Sequence, residues 1–188
     1  MTTITRSIFI SLLSALALCT LAADEPFKSG PGVGERPKPF SIVGVTGPKR
    51  GQTHCYVCEA EDRPMVIVFA RSTGAPLVPL LKQLDAALTT HKAAELRSWA
   101  VFLTDSRGTL EPKIEQLAQQ NSIGLLPLTI FEGADGPPAY RIHRDADVTV
   151  IFSVKQKTVF THVFKASEVT DAKVAQVMTS LPKILETK

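Results

Sequence analysis

The sequence has little excess charge of either sign. The formal net charge is +3, and loss of Arg6 with the first segment leaves about +2. Lysine and arginine are interspersed with aspartate and glutamate, so no basic face is available and nucleic acid is excluded as a partner. There is no internal repeat and no low-complexity tract. No apolar run reaches the ~20 residues that a membrane span needs. The run at residues 8–22 is the nearest approach. Cysteine is scarce as well: Cys19 lies in that run, and only Cys55 and Cys58 follow it. His does not follow Cys58 (the next residue is Glu59), which excludes covalent haem attachment. The Gly-rich "GADGP" has no Lys-Ser or Lys-Thr after it, so it is no phosphate cradle.

What is present begins with a leader. Arg6 precedes the short apolar run, and Thr20-Leu21-Ala22 or Leu21-Ala22-Ala23 offers small residues before Asp24. This is the pattern of a secretory signal peptide over residues 1–22, and it predicts an exported protein with no membrane contact after cleavage. Cys19 follows Leu18, which is too large for a lipid-attachment site. Residues 23–39 are rich in Pro, Gly and charge and are read as a flexible lead-in to one domain at 40–186. With Cys19 removed, Cys55 and Cys58 form an even pair in an oxidising setting, where the simplest expectation is a bond between them.

Hydrophobic patterning sets the class. "FSIVGV" at 40–45 is a short strand and "TGPKRG" at 46–51 a turn. "MVIVFA" at 65–70 is continuously apolar and β-branched, as in a strand buried on both faces. "SWAVFLT" at 98–104 and "IGLLPLTIFE" at 123–132 repeat that character. Leu77, Leu80, Leu81, Leu84 and Leu88 recur at helical period after Pro76, and a second helix is read at 110–120 with Ile114, Leu117 and Ala118 inward. "VTVIFSV" and "TVFTHVF" flank "KQK" as a hairpin. A closing helix takes Thr170 as N-cap and turns Val174, Val177 and Leu181 inward. The alternation predicts an α/β domain, a mixed sheet with helices on both faces.

That order resembles the thioredoxin-like fold superfamily, in the branch of the peroxiredoxins, the alkyl hydroperoxide reductases and the secreted thioredoxin-like oxidoreductases. The resemblance spans roughly residues 32–185. It rests on "GVGERPKPFSIVGVTG", on "MVIVFARSTGAPLVPLLKQL" as central strand, turn and first helix, and on "LPLTIFEGADGPPAYRI" before the hairpin. It implies a three-layer sandwich and a dithiol in the turn after the central strand. This chain departs there: Gly74 stands where the first cysteine would be and Leu77 where the second would be. Ser72 and Thr73 remain, but a hydroxyl without a base is a poor nucleophile. Val148 takes the position of the family's cis-proline if residues 148–152 are the strand beside the turn; Pro127 is the rival. A non-proline cis bond costs about 2.5–4 kcal/mol, so none is expected at Val148.

The Cys-x-x-Cys is thereby displaced to the beginning of the central strand. Six strand residues at ~3.3 Å each put it about 20 Å from the usual site. Lys49, Arg50 and His54 favour a thiolate there, while Glu59, Glu61 and Asp62 oppose it. Three readings stay open: a redox pair with Cys55 attacking and Cys58 resolving, acting on a protein thiol or disulfide; a structural disulfide in a binding or scaffolding domain; and a metal half-site with His54. No cofactor is implied, and peroxidase activity is disfavoured because no cysteine occupies the turn. Tyr56 is expected to be exposed with its loop. Trp99 is expected in the core, His91 at a helix end, and His162 on the solvent face of a strand. His143, Arg141, Arg144, Asp145 and Asp147 are read as a solvated loop.

Overall fold

A computed structural model describes residues 27–186. The leader at 1–22, with Cys19, lies outside the described residues. Seven strands form one sheet: β1 (Ile42–Gly44), β2 (Thr53–His54), β3 (Met65–Ala70), β4 (Arg97–Thr104), β5 (Leu128–Glu132), β6 (Val148–Val154) and β7 (Lys157–Phe164), in the order β2-β1-β5-β4-β3-β6-β7. β3 pairs in parallel with β4, and β4 with β5, while β6 and β7 return antiparallel on the other side. The helices are α1 (Tyr56–Ala60), α2 (Val78–Thr90), α3 (Arg107–Asn121), α4 (Asp171–Met178) and α5 (Leu181–Leu185).

The period-2 geometry of the central strands divides the core into two layers. Val66, Val68 and Ala70 of β3, with Ala100 and Phe102 of β4, face one cluster that includes α2, α3, α4 and α5. Met65, Ile67 and Phe69, with Trp99, Val101 and Leu103, face a second cluster closed by Val57 and Ala60 of α1 and by Tyr140. The sandwich is therefore uneven. Long helices cover one face, and a five-residue helix, a 3-10 turn at Pro138–Tyr140 and the lead-in cover the other. The lead-in is tied down from residue 27: Gly34 N–H donates to Thr158 O, Thr158 N–H to Glu35 O, and Tyr140 OH to Lys38 O. Ser29 Oγ lies 2.7 Å from Thr149 Oγ1, and both residues are buried.

Two helices differ from the sequence pattern for local reasons. α3 begins at Arg107, before its apolar stripe, with Pro112 inside it. The carbonyl that Pro112 leaves without a partner belongs to Gly108, which is exposed to water. The closing helix is two helices, because Pro182 has no N–H to donate to Met178 and so starts α5 afresh. Thr170 caps α4, its Oγ1 accepting from Lys173 N–H at 3.3 Å. His91 sits at the end of α2, its N–H on Ala87 O at 2.9 Å, and Trp99 is 1% exposed. The 46–51 turn folds tightly against β1. A Cβ at Gly44 would overlap the Lys49 carbonyl, so only glycine lets the turn approach.

His162 is not on a solvent face. The two sides of "TVFTHVF" are equally apolar, so alternation alone could not orient the strand. Phe160, His162 and Phe164 turn toward the helix layer, and His162 lies 5.8 Å from the Phe152 ring with Nε2 2.9 Å from Ser180 Oγ. Burial first, then Lys173 and Lys183, holds the imidazole below its ordinary value. The unfolded chain consequently binds more protons than the folded chain between the two values. Stability should be full above the ordinary imidazole range and decline as pH falls through it toward the folded value. Urea denaturation from pH 7.5 to 5 should show that decline, and His162→Gln should flatten it relative to the parent; an unchanged slope would contradict this reading.

Candidate redox site

The site is built from one continuous stretch. β2 ends at His54, Cys55 turns the chain at φ −116°, ψ 92°, and α1 follows. Cys55 and Cys58 are bonded, S–S 2.10 Å and Cα–Cα 5.3 Å. Cys55 Sγ also accepts the Cys58 N–H at 3.2 Å, serving as the helix N-cap. Val57 and Ala60, one helical turn apart, bury toward Met65 and Trp99. That orientation leaves Cys58 and Glu59 outward. Cys58 is exposed and Cys55 is half-buried. Arg63 closes the helix from its carboxyl side, with Nε on Ala60 O at 3.2 Å and a terminal nitrogen on Glu59 O at 2.8 Å.

Charged and aromatic groups surround the pair. His54 Nε2 and Glu59 Oε2 are 2.7 Å apart, and this bond holds the Glu59 carboxyl below the usual carboxylate range. Tyr56 is not exposed as its loop position implies. Its ring stacks on Trp99 at 5.5 Å and meets His54 edge-on at 4.8 Å. Arg50 is drawn away to Glu115 on α3. Arg36, from the lead-in, instead lines the small hollow onto which Cys58 opens, together with Val57, Glu61 and Met65. No local pattern signals Arg36, since β1 and β2 separate it from the pair along the chain.

A larger cavity of about 170 Å³ lies on the other side of α1. Tyr56, Glu59, Lys49, Arg97, Trp99 and Leu125 are among its walls. Tyr56 Oη, Arg97 Nε and Trp99 Nε1 are buried without a hydrogen-bond partner among the described residues. An unsatisfied buried donor costs about 1–3 kcal/mol. Among the described residues, no group of three or more His, Cys, Asp or Glu side chains gathers to hold a metal ion.

The Cys pair and this cavity lie at the amino end of the parallel strands, with α1 packed against Met65 and Trp99. The turn after β3 lies at the opposite end. Arg71 N–H donates to Asp147 O, and the Arg71 guanidinium to the carbonyls of Ala146, His143 and Ala134. Gly74 is extended at φ −64°, ψ 153°, ahead of a 3-10 turn, and Leu77 is core at 3% exposure. Ser72 is exposed and Thr73 half-buried beside them. Val148 pairs with Ala70, directly beside this turn, and no cis peptide occurs among the described residues. The loop read as solvated does carry exposed charges, and they make surface contacts: Arg144 pairs with Asp135 at 3.0 Å, Arg141 with Glu35, His143 stacks on Phe27 at 4.9 Å, and Asp147 accepts from Ala166 N–H. Asp145 receives only a long approach from His143, at 3.9 Å.

Neither a scan of protein-family models nor a search of curated proteins finds a match for this sequence. Solved structures do resemble it. A thiol:disulfide interchange protein of the thioredoxin family from Chlorobium tepidum is 10% identical with a TM-score of 0.60, over 82% of this chain and 99% of that one. A thioredoxin-like protein from Porphyromonas gingivalis is 17% identical with a TM-score of 0.59, over 82% and 95%. An uncharacterized conserved protein from Geobacillus kaustophilus is 14% identical with a TM-score of 0.63, over 84% of each chain. Likeness at these identities is likeness of fold, and the fold is thioredoxin-like.

Arg71→Met tests whether the turn after β3 is held for structure. It removes a charged donor from three backbone carbonyls and should cost about 2–4 kcal/mol, since bonds to charged groups contribute about 1.5–3 kcal/mol each and water replaces some of them. Chemical denaturation measures this. A loss under 1 kcal/mol would show that the loop holds itself.

Proposed function

We propose that this chain exchanges disulfides with a protein partner through Cys55 and Cys58. The carrying observation is the asymmetry of the pair: Cys58 is exposed, while Cys55 is half-buried with its sulfur on the Cys58 N–H. This exchanges the roles read from sequence order, where Cys55 was the attacking thiol. A partner thiolate attacks Cys58 Sγ and forms a mixed disulfide. The Cys55–Cys58 bond breaks, and its electron pair goes to Cys55, which takes up a proton. A second partner thiolate attacks the partner's own sulfur in the mixed disulfide and releases Cys58 as a thiolate. Two electrons pass to this chain, the Cys58 thiolate takes its proton from solvent, and the partner leaves oxidised. In reverse, Cys58 attacks a partner disulfide and Cys55 resolves it. The Cys58 N–H supports negative charge on Cys55.

Two further points support the reading over a structural staple. In the chain-entropy model a ring of four residues stabilises a fold by only about 2 kcal/mol, less than a long loop would. α1 is also already held by Arg63, by the His54–Glu59 bond and by the burial of Val57 and Ala60. The leader pattern adds that the protein is exported, where such a pair meets oxidised partners. Peroxide reduction is not part of the proposal, since Gly74 and Leu77 stand where the family's cysteines would.

Thiol trapping in glutathione and dithiothreitol buffers tests the exchange. A potential between about −120 and −270 mV is expected, as in exchange proteins, and a value below about −300 mV would mark a structural bond. Iodoacetamide should modify Cys58 before Cys55 in the reduced protein. Cys55→Ser should accumulate a mixed disulfide with a small dithiol, and Cys58→Ser should not. The double serine variant should lose no more than about 2 kcal/mol of stability.

A further inference from the structure

We infer that the bond between His54 and Glu59 is a positioning contact that holds the Cys55–Cys58 couple at a more reducing potential. The inference deepens the exchange reading and rests on it for its use, while the coupling itself needs only the disulfide. His54 directly precedes Cys55, and Glu59 directly follows Cys58. His54 Nε2 and Glu59 Oε2 are 2.7 Å apart, so their bond closes a second loop around the disulfide ring. His54 ends β2, in register with Ile42 of β1, and Glu59 lies on α1. The bond thus ties α1 to the edge of the sheet.

The disulfide and this bond favour each other. The disulfide keeps the Cα atoms of Cys55 and Cys58 5.3 Å apart and thereby limits the positions open to the residues on either side. Reduction removes that restraint from a helix of five residues, too short to be stable by itself. Ordering His54 against Glu59 then costs more conformational entropy. A contact that forms more readily in the oxidised chain stabilises that chain. Coupling is reciprocal, so the bond favours closure of the disulfide by the same amount. Arg63 and the burial of Val57 and Ala60 hold α1 in both states, so the coupling is a fraction of the bond's worth. Glu59 is also exposed, and solvent screening keeps the effect to a few-fold. Other groups face the pair. Lys49 from the β1–β2 turn and Arg97 from β4 act on the carboxylate, Arg63 donates to the Glu59 carbonyl, and the Tyr56 ring meets His54 edge-on at 4.8 Å. Of these side-chain types only imidazole ordinarily changes charge near neutral pH. Loss of that charge leaves the bond assisted on one side alone.

Thiol trapping in dithiothreitol buffers at pH 6 and pH 8 gives the potentials of the parent, His54→Phe, Glu59→Ala and the double variant. His54→Phe keeps a ring against Tyr56 and removes the bond. Glu59→Ala, at an exposed position, leaves the fold intact. At pH 6 each single variant should make closure of the disulfide about three- to fivefold less favourable, a rise of about 14–21 mV at 29.6 mV per tenfold. The double variant should rise no further than the larger single, because either substitution removes the whole bond. Glu59→Gln, which keeps a neutral acceptor for His54, should recover part of the rise. The gap between the parent and Glu59→Ala should narrow at pH 8. Unchanged potentials would overturn the coupling. Shifts of opposite sign would also overturn it, since an imidazolium and a carboxylate acting separately on a thiolate displace the potential in opposite directions. A gap that widens at pH 8, where thiolates begin to form, would do the same. Exchange is judged separately, on the parent's absolute potential: below about −300 mV it fails, while the differences between variants still report the coupling.

Discussion

Complete burial of the central strand is the constraint on which the rest of the structure depends. All six residues of β3 are buried, so both faces of the sheet must be covered and only the strand's two ends reach solvent. Parallel pairing with β4 and antiparallel pairing with β6 then decide what stands at each end. At the carboxyl end lie Arg71, Gly74 and Val148. At the amino end lie α1, the Cys pair and the 170 Å³ cavity. Open parallel sheets ordinarily bind ligands at the carboxyl ends of their strands. Here the carboxyl end is occupied by a guanidinium bonded to backbone, and the reactive side chains are gathered at the other end.

The covering of the second face gives the amino end its chemistry. That face has no long helix. It is closed by a five-residue helix and by the lead-in, whose backbone joins β7 through Gly34 and Glu35. A short helix buries Val57 and Ala60 and lays the Tyr56 ring on Trp99, which leaves two residues to face outward. Cys58 and Glu59 are exposed for that reason. The same thin cover lets Arg36 of the lead-in share a small hollow with Cys58 and leaves an incompletely filled space lined by Tyr56, Trp99 and Leu125. Composition alone described the lead-in as a loose connector; its prolines and glycines instead allow an extended path along the sheet, with Ser29 bonded to Thr149.

Much of the fold was legible because it depends on local periodicity. The apolar runs at 65–70 and 98–104, the leucine spacing of α2, the hairpin and the Thr170 cap all follow from side-chain patterns a few residues long. Where local signals conflict or are symmetric, the reading failed. Pro182 divided a helix whose apolar stripe was continuous, and His162 occupied a strand with two equally apolar faces. The absence of a thiol in the turn after β3 was legible from Gly74 and Leu77 alone, given the resemblance of the surrounding pattern.

The sequence by itself determined the order of six of the seven strands, the expectation of a bond between the two cysteines beyond the first segment, and their separation from the turn after β3. These rest on spacing within short segments. Tertiary structure decided which sulfur faces solvent, because that depends on which side of α1 meets Met65 and Trp99. It also decided that Lys49, Tyr56, Arg97 and Leu125 share one cavity. Those residues lie far apart in the chain, and only the register of β1, β4 and β5 and the packing of α1 bring them together. No periodicity within a single segment encodes a register between segments.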